Sequence, residues 1–314
     1  MAINILIKPV KKSSKFGLKS LFGKNDTSIT LSDIKNIGGK EFMYGHRKRI
    51  GYVFYNYEDE NITDVDIVLY NPKKIGRGFI ICVLENGNIE LVLNAPCTSQ
   101  DIREYFYMVK KTCEYFNADE FIMDEERVVK LDEVNDIKES IIEWNIKTLG
   151  NMIAQNAENN MIIYGGNNPI VMETELREKL MSLNGNELEK TFADYIDKKQ
   201  QMDVYYMNPT FYKNGDEIMG VYTLTEGVDS VIPEKPYTPF NSGISDDTKI
   251  NKWVVSLVTI NGNDYDVAGY VLYNDLLNNL PNDALNEKYD QSHYLLHGLD
   301  KNTINKLLKT QISV

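Results

Sequence analysis

The sequence predicts an α+β fold, with mostly antiparallel sheets, hairpins and packed helices, on three observations. First, two Asn-Gly pairs, Asn86-Gly87 and Asn261-Gly262, are each flanked by β-rich runs. Residues that tolerate positive φ between such runs are the strongest short-range hairpin signal, and a type I′ turn needs positive φ at both central positions. Second, a capped amphipathic helix follows the first of these hairpins directly. Third, hairpin-then-helix recurs in both halves of the 314 residues without an aligned internal repeat.

In chain order, Ala2–Ile7 reads as a strand. Lysines from Lys11 to Lys24 interrupt Phe16, Leu18, Leu21 and Phe22, as in a basic loop or a short amphipathic turn. Thr30-Leu31-Ser32-Asp33 starts a short helix or turn that Gly38-Gly39 ends. Residues 50–55 and 64–70 are expected strands around an acidic loop. Residues 79–84 are apolar on both faces, which suits a strand covered on both sides. The return strand Ile89–Asn94 puts Ile89, Leu91 and Leu93 on one face, and Pro96, which lacks an N–H, ends it. Thr98-Ser99-Gln100-Asp101 fits a capping box, with Asp101 near the positive end of the helix dipole. Ile102, Tyr105, Phe106, Val109 and Cys113 then form one helical face that closes near Phe116-Asn117. Glu120–Met123 reads as an edge strand, and 132–157 as a longer helix.

The second half repeats these signals. Residues 161–164 and 169–171 read as strand and loop, and Leu176, Leu180 and Leu183 mark a helix ended by Asn184-Gly185. Residues 188–202 form another helix. Asn214-Gly215 reads as a further hairpin turn. Pro233, Pro236 and Pro239 mark an exposed loop running to about residue 251. Two strands flank Asn261-Gly262, a short helix stops at Pro281, and a strand at 294–296 precedes a terminal helix. Two lobes are expected, 1–133 and 134–314, with a soft boundary and a single unit as the alternative.

Net charge is −12, unevenly placed. Residues 1–50 hold eleven Lys/Arg against three Asp/Glu, a surplus of +8, so the remainder carries −20. An acidic body repels phosphates, which argues against nucleic acid as a partner. No apolar run approaches the roughly 18 residues of a membrane span. The apolar start is too short for a signal peptide, and its positive charges follow it, so no membrane partner and a cytoplasmic protein are expected. Three cysteines, Cys82, Cys97 and Cys113, lack metal-type spacing and suit a reducing compartment.

Several segments, taken in order, resemble an uncharacterised bacterial family, domain-of-unknown-function family four-two-nine-nine. They are Ile5-Leu6-Ile7-Lys8, Gly76-Arg77-Gly78-Phe79, Pro96 with Asp101-Ile102, and Ile163-Tyr164-Gly165 with Pro169-Ile170-Val171. Gln200-Gln201 with Tyr205-Tyr206, Gly220 to Thr225, and Ile232-Pro233 with Pro236 continue the series. Trp253-Val254-Val255 and Leu280-Pro281 with Leu295 to Leu299 complete it. The resemblance covers nearly the whole chain. It implies one full-length fold unit and supplies no catalytic residues.

Each chemical motif has a bland competitor. Arg77 between Gly76 and Gly78 reads as an anion or carboxylate clamp with close backbone approach, making Arg77 and Gly78 the candidate binding residues. The competing reading is a strand-start turn with an internally satisfied arginine, and it carries more weight. His293 and His297 have the spacing of a helical metal pair, but Tyr294 stands where a zinc hydrolase needs Glu, so no metal is expected. Cys97 precedes a helix N-terminus that lowers thiol pKa values, yet small residues simply fit such a corner. His46-Arg47-Lys48-Arg49, Asp124-Glu125-Glu126 and Asp246-Asp247 read as solvated loop charges.

Three histidines support no nucleophilic triad by order or spacing, so no catalytic residue and no cofactor is assigned. The reading is a non-catalytic cytoplasmic interaction or adaptor module, its acidic surface steering a basic protein partner. Residues 56–66 and 229–251 are the expected contact loops. The alternative is an enzyme with a nonstandard site near Arg77 and neighbouring tyrosines.

Overall fold

A computed structural model describes residues 2–10, 29–39, 41–47, 62–74, 76–154, 161–172, 174–239, 242, 244–245 and 248–313. The chain separates into two compact units, Met1–Gln201 and Met202–Val314. The described residues form the α+β class predicted, with antiparallel-rich sheets. The strand expected at 50–55 lies outside them.

In the first unit, β1 (Ala2–Ile7), α1 (Leu31–Gly38), β2 (Met43–Arg47), β3 (Ile67–Tyr70), β4 (Phe79–Val83), β5 (Ile89–Asn94) and α2 (Ser99–Phe116) come in order. β6 (Glu120–Met123), β7 (Arg127–Lys130) and the long helix α3 (Val134–Ala154) follow. Their strands make one antiparallel sheet in the order β2-β3-β4-β5-β1-β6-β7. β1 lies inside it because Ile5 and Ile7 need cover on both strand edges and one face. It pairs with β5 from Ala2↔Asn94 to Ile7↔Ile89, and with β6 at Ile5 and Leu6. β4 is buried along its whole length, while β5 alternates with Ile89, Leu91 and Leu93 inward.

The first Asn-Gly hairpin forms with a different turn. Gly87 alone of the pair takes positive φ, at 80°. Its N–H donates to the Leu84 carbonyl at 2.8 Å, and Leu84 N–H donates to Asn88 at 2.8 Å. This is a three-residue connection closed by a left-handed glycine, not a type I′ turn. Glu120–Met123 is also not an edge: β7 covers it, from Glu120↔Lys130 to Met123↔Arg127. Within β7 only Val129 is buried, so its apolar pattern is too faint to read as a strand.

α2 covers the sheet, and its Tyr105 hydroxyl donates to the Leu91 carbonyl at 2.9 Å. α3 packs against α2. The unit closes with the hairpin β8 (Met161–Tyr164) and β9 (Pro169–Met172), then α4 (Thr174–Met181) and α5 (Gly185–Gln200). Leu149, Ile153, Ile163, Ile170 and Phe192 form the core between them.

The second unit contains β10 (Tyr205–Tyr206), β11 (Thr210–Asn214), β12 (Glu217–Thr225), β13 (Ser230–Pro233), β14 (Lys252–Asn261) and β15 (Asp264–Leu272). α6 (Tyr273–Asn279), β16 (His293–Leu296), α7 (Lys301–Leu307) and β17 (Gln311–Ile312) complete it. One sheet runs β11-β12-β14-β15-β17 and a smaller one β10-β13-β16. β12 and β14 are parallel, from Met219↔Lys252 to Thr225↔Val258, so the chain between them must cross over, and it contributes β13 on the way. Both hairpins close at a glycine of positive φ, Gly215 at 61° and Gly262 at 65°. Because Asn214 pairs with Glu217 and Asn261 with Asp264, each glycine holds the first central position, the type II′ arrangement. Tyr222, Val255, Leu257, Val271 and Tyr273 pack into this unit's core.

Candidate functional site

The candidate residues Arg77 and Gly78 sit where β4 begins, and Asp101 and Pro96 already hold their backbone N–H groups and one guanidinium nitrogen. Asp101, wholly buried, accepts the Arg77 and Gly78 N–H groups on Oδ1 at 2.9 and 3.3 Å. Its Oδ2 accepts the Thr98 N–H at 2.8 Å and the Thr98 hydroxyl at 2.9 Å, while Asp101 N–H donates back to that hydroxyl at 3.0 Å. The predicted capping box is therefore present, and the same carboxylate also clamps the turn into β4. Gly78 has φ +77°, and a Cβ there would lie 2.5 Å from the Leu69 carbonyl oxygen. A Cβ on Gly76 would lie 2.0 Å from the Ile196 side chain of α5. Both glycines are thus required by close packing.

The Arg77 guanidinium donates from Nη1 to the Pro96 carbonyl at 2.8 Å. Burial lowers its pKa from the ordinary value, with Cys97 and Asp101 opposing that shift. Cys97 is buried, its thiol 3.7 Å from Asn145 Oδ1, and Asn145 Nδ2 donates to the Cys97 carbonyl at 3.0 Å. Burial pushes this thiol far above its ordinary pKa, the opposite of an activated cysteine. Burial likewise pushes the Cys113 thiol up to about 12. The amide of Ser99 at the start of α2 donates to Glu189 Oε1 of α5 at 2.8 Å, so a protein carboxylate already occupies that helix end.

The second unit holds a polar chain that spacing alone did not reveal. His293 Nδ1 is 2.8 Å from Asp290 Oδ1, and Nε2 is 2.8 Å from the Tyr206 hydroxyl. All three residues are buried, with His293 only 2% exposed. The Tyr237 hydroxyl also bonds Tyr206, and Tyr237 and Tyr289 pack around the group. Nδ1–H donating to Asp290 and Nε2 accepting from Tyr206 is the tautomer that satisfies these distances. Burial drives the Tyr206 phenol far above its usual pKa, so it stays protonated and works as a donor. Asp290 Oδ2 is buried without a hydrogen-bond partner among the described residues. Tyr206 and His293 are 87 positions apart, and only the pairing of β10 and β16 with β13 brings them together.

His297, on the same segment, is exposed and points to different partners. Its ring nitrogens lie 3.2 Å from Asp229 Oδ2 and 3.2 Å from Glu287 Oε2. These carboxylates raise its pKa, and Gly298 N–H together with His297 lowers that of Asp229. His293 begins β16 and His297 follows its end, and extended backbone at about 3.3 Å per residue holds positions four apart at about 13 Å. Among the described residues no cluster of three or more His, Cys, Asp or Glu could hold a metal ion. The side chains of His46 to Arg49 and of Asp246 and Asp247 lie outside the described residues, as do residues 56–61. Asp124, Glu125 and Glu126 form the exposed turn between β6 and β7.

A third feature is the outer edge of β15. On one side β15 pairs with β14 throughout, while on the other β17 meets it only at Tyr270↔Ile312 and Val271↔Gln311. No other described strand lies beside residues 264–269. Tyr265 and Val267 are exposed there, at 70% and 55%. Asp264 and Asp266 alternate with them, and both are exposed. A register shift near Ala268 moves Val267 and Tyr265 onto the face of Val258 and Ile260, away from the Leu257 and Val271 core. Asp264 and Asp266 break the apolar pattern that starts at Val267, so the acidic half of this edge carries no strand signal in the sequence.

Over residues 2–307 the chain matches the model of the family described as Domain of unknown function (DUF4299). The chain belongs to the DUF4299 family. No curated protein and no solved structure matches it. Several DUF4299 segments singled out in the sequence have structural roles. Gly220 lies against the Trp253 ring, where a Cβ would approach to 2.3 Å. Gln200 accepts the Asn167 and Asn168 N–H groups at 2.8 and 3.0 Å, tying the end of α5 to the β8–β9 turn. Among the described residues of this DUF4299 chain, no helix is long and apolar enough to cross a membrane.

Proposed function

We propose that this protein is a non-catalytic, cytoplasmic interaction module whose partner is a protein with a basic contact segment. The observation that carries this reading is the β15 edge left open among the described residues, where exposed Tyr265 and Val267 alternate with Asp264 and Asp266. An exposed strand edge is a template for another chain, and alternating side chains give it selectivity. The acidic surroundings favour a positive partner: residues 202–314 hold eight Lys and no Arg against fifteen Asp and Glu.

The rival reading, an enzyme site around Arg77 and Gly78, draws less support. An incoming anion there would have to displace Asp101 from two backbone N–H groups, and the guanidinium already holds the Pro96 carbonyl. The tyrosine-rich chain around His293 has its phenol raised rather than activated.

Affinity capture with the wild-type chain and with a Tyr265→Ser/Val267→Ser variant tests the proposal. The expected result is a specific partner that the wild type retains and the variant loses, confirmed by titration with the purified partner. Identical capture by both proteins, or turnover in a substrate screen abolished by Arg77→Ala in folded protein, would overturn it.

A further inference from the structure

Resting on that interaction reading, we infer that β15 binds by strand addition, taking an extended segment of a partner protein in which apolar residues alternate with Lys or Arg. In an antiparallel pair, alternate residues turn their N–H and C=O groups toward the neighbour and the others turn theirs away. β14 uses the inward set on both sides of the bulge at Ala268, pairing with residues 264–267 and again with 269–272. Over residues 264–269 the outward set faces no described strand, because β17 stops at Tyr270. Gly269 lies against Leu308 and Gln311, so the exposed seam is residues 264–267, which at about 3.3 Å each give about 13 Å, enough for a short added strand.

The side chains define the chemistry of that strand. Tyr265 and Val267 share one face with the cross-strand neighbours Ile260 and Val258. An apolar residue on the added strand would lie beside each and remove their surface from water. Asp264 and Asp266 project from the other face, and Asn261 donates an amide hydrogen bond to Asp266 without removing its charge. No Lys or Arg lies between Asp264 and Leu272. Lys301 approaches the hairpin tip, but its ammonium donates to Asn261 Oδ1 at 2.7 Å. A strand with Lys or Arg at every second position therefore meets opposite charge on one face and apolar cover on the other. The far edge of the same sheet, β11, carries Lys213 and no carboxylate between Thr210 and Asn214, so it lacks this complementarity.

The test uses the full chain and two labelled nine-residue peptides, one alternating Lys and Val and one alternating Glu and Val. Fluorescence anisotropy measures affinity, and hydrogen exchange locates protection. The Lys–Val peptide is expected to bind, to weaken as salt rises, and to slow exchange of amides within 264–269. The Glu–Val peptide is expected to bind at least about tenfold more weakly. Asp264→Lys/Asp266→Lys should weaken the Lys–Val peptide about tenfold with an unchanged thermal melt, whereas Asp275→Lys on α6 should have no effect. Equal binding of both peptides, no binding of either, protection confined elsewhere, or indifference to the double reversal would each overturn the inference. If the peptides fail while the Tyr265→Ser/Val267→Ser variant still loses its captured partner, strand addition by a basic segment is wrong and the interaction reading stands. If capture is also unchanged, both fail.

Discussion

Two hairpins with the same Asn-Gly signature have opposite fates. β4–β5 is enclosed: β3 borders one side, β1 the other, and β4 is buried throughout. Among the described residues, β14–β15 is enclosed only along β14 and at the C-terminal end of β15. The local code for a hairpin is the same in both, yet enclosure depends on strands supplied from far away in sequence. β1 lies more than 80 positions before β5, whereas β17 contributes just two residues to β15. The enclosed hairpin is buried between neighbouring strands, and the other leaves backbone groups of β15 that no described strand pairs.

Substitutions on the two sides should separate these roles. The largest effect is expected from Asp101→Ala, which orphans the Arg77 and Gly78 N–H groups of the turn into β4 and removes the carboxylate half of the α2 capping box. A loss of about 4 kcal/mol in denaturant unfolding is expected. Asp266→Ala on the open edge should change stability by less than about 0.5 kcal/mol. If both cost the same, the contrast collapses.

Leu91 in β5 is wholly buried, so Leu91→Ala should cost about 3 kcal/mol. Val267→Ala, in the corresponding return strand of the second hairpin, should stay within about 0.5 kcal/mol while weakening partner binding. A large stability loss at Val267 would mean that the edge is covered.

Tyr206→Phe removes the hydroxyl held by His293 and Tyr237. It should cost roughly 1–2 kcal/mol through the donor lost to a buried imidazole, and leave binding at β15 unchanged. A neutral result would remove this chain from the stabilising core of the second unit.

The smallest effect is pH-dependent. His297 has its pKa raised by Asp229 and Glu287, so its contribution is complete below the unfolded histidine value and disappears as pH rises through the raised folded value. Asp229 has its pKa lowered, so its contribution is present above the unfolded aspartate value and is lost as pH falls through the lower folded value. The pair therefore supports the fold most between these limits, from roughly pH 4 to 6.5. Since both groups are substantially exposed, His297→Ala should cost only about a few tenths of a kcal/mol in that window and nothing measurable well above it. A loss that persists at high pH would assign His297 a packing role instead.

Much of the architecture was legible because its signals are local. The Thr98–Asp101 capping box, the alternating burial of β5 and the helix from Ser99 to Phe116 follow from residues within one or two turns of each other. The turn types were less legible, since Asn86 and Asn261 were free to stand before the left-handed position as well as in it. β7 escaped notice because a strand with a single buried residue has almost no apolar period.

By itself, the sequence determined where the Asn-Gly hairpins form, where α2 starts and stops, and that its body is acidic, because propensity, capping and charge act over neighbouring residues. Tertiary structure alone decided that Arg77 is bound to the Pro96 carbonyl, that Tyr206 meets His293 across 87 positions, and that β17 alone of the described strands borders the outer side of β15, at two residues. Those outcomes depend on which distant strand pairs with which. Strand pairing is set by the burial of whole faces, and no short stretch of residues carries that information.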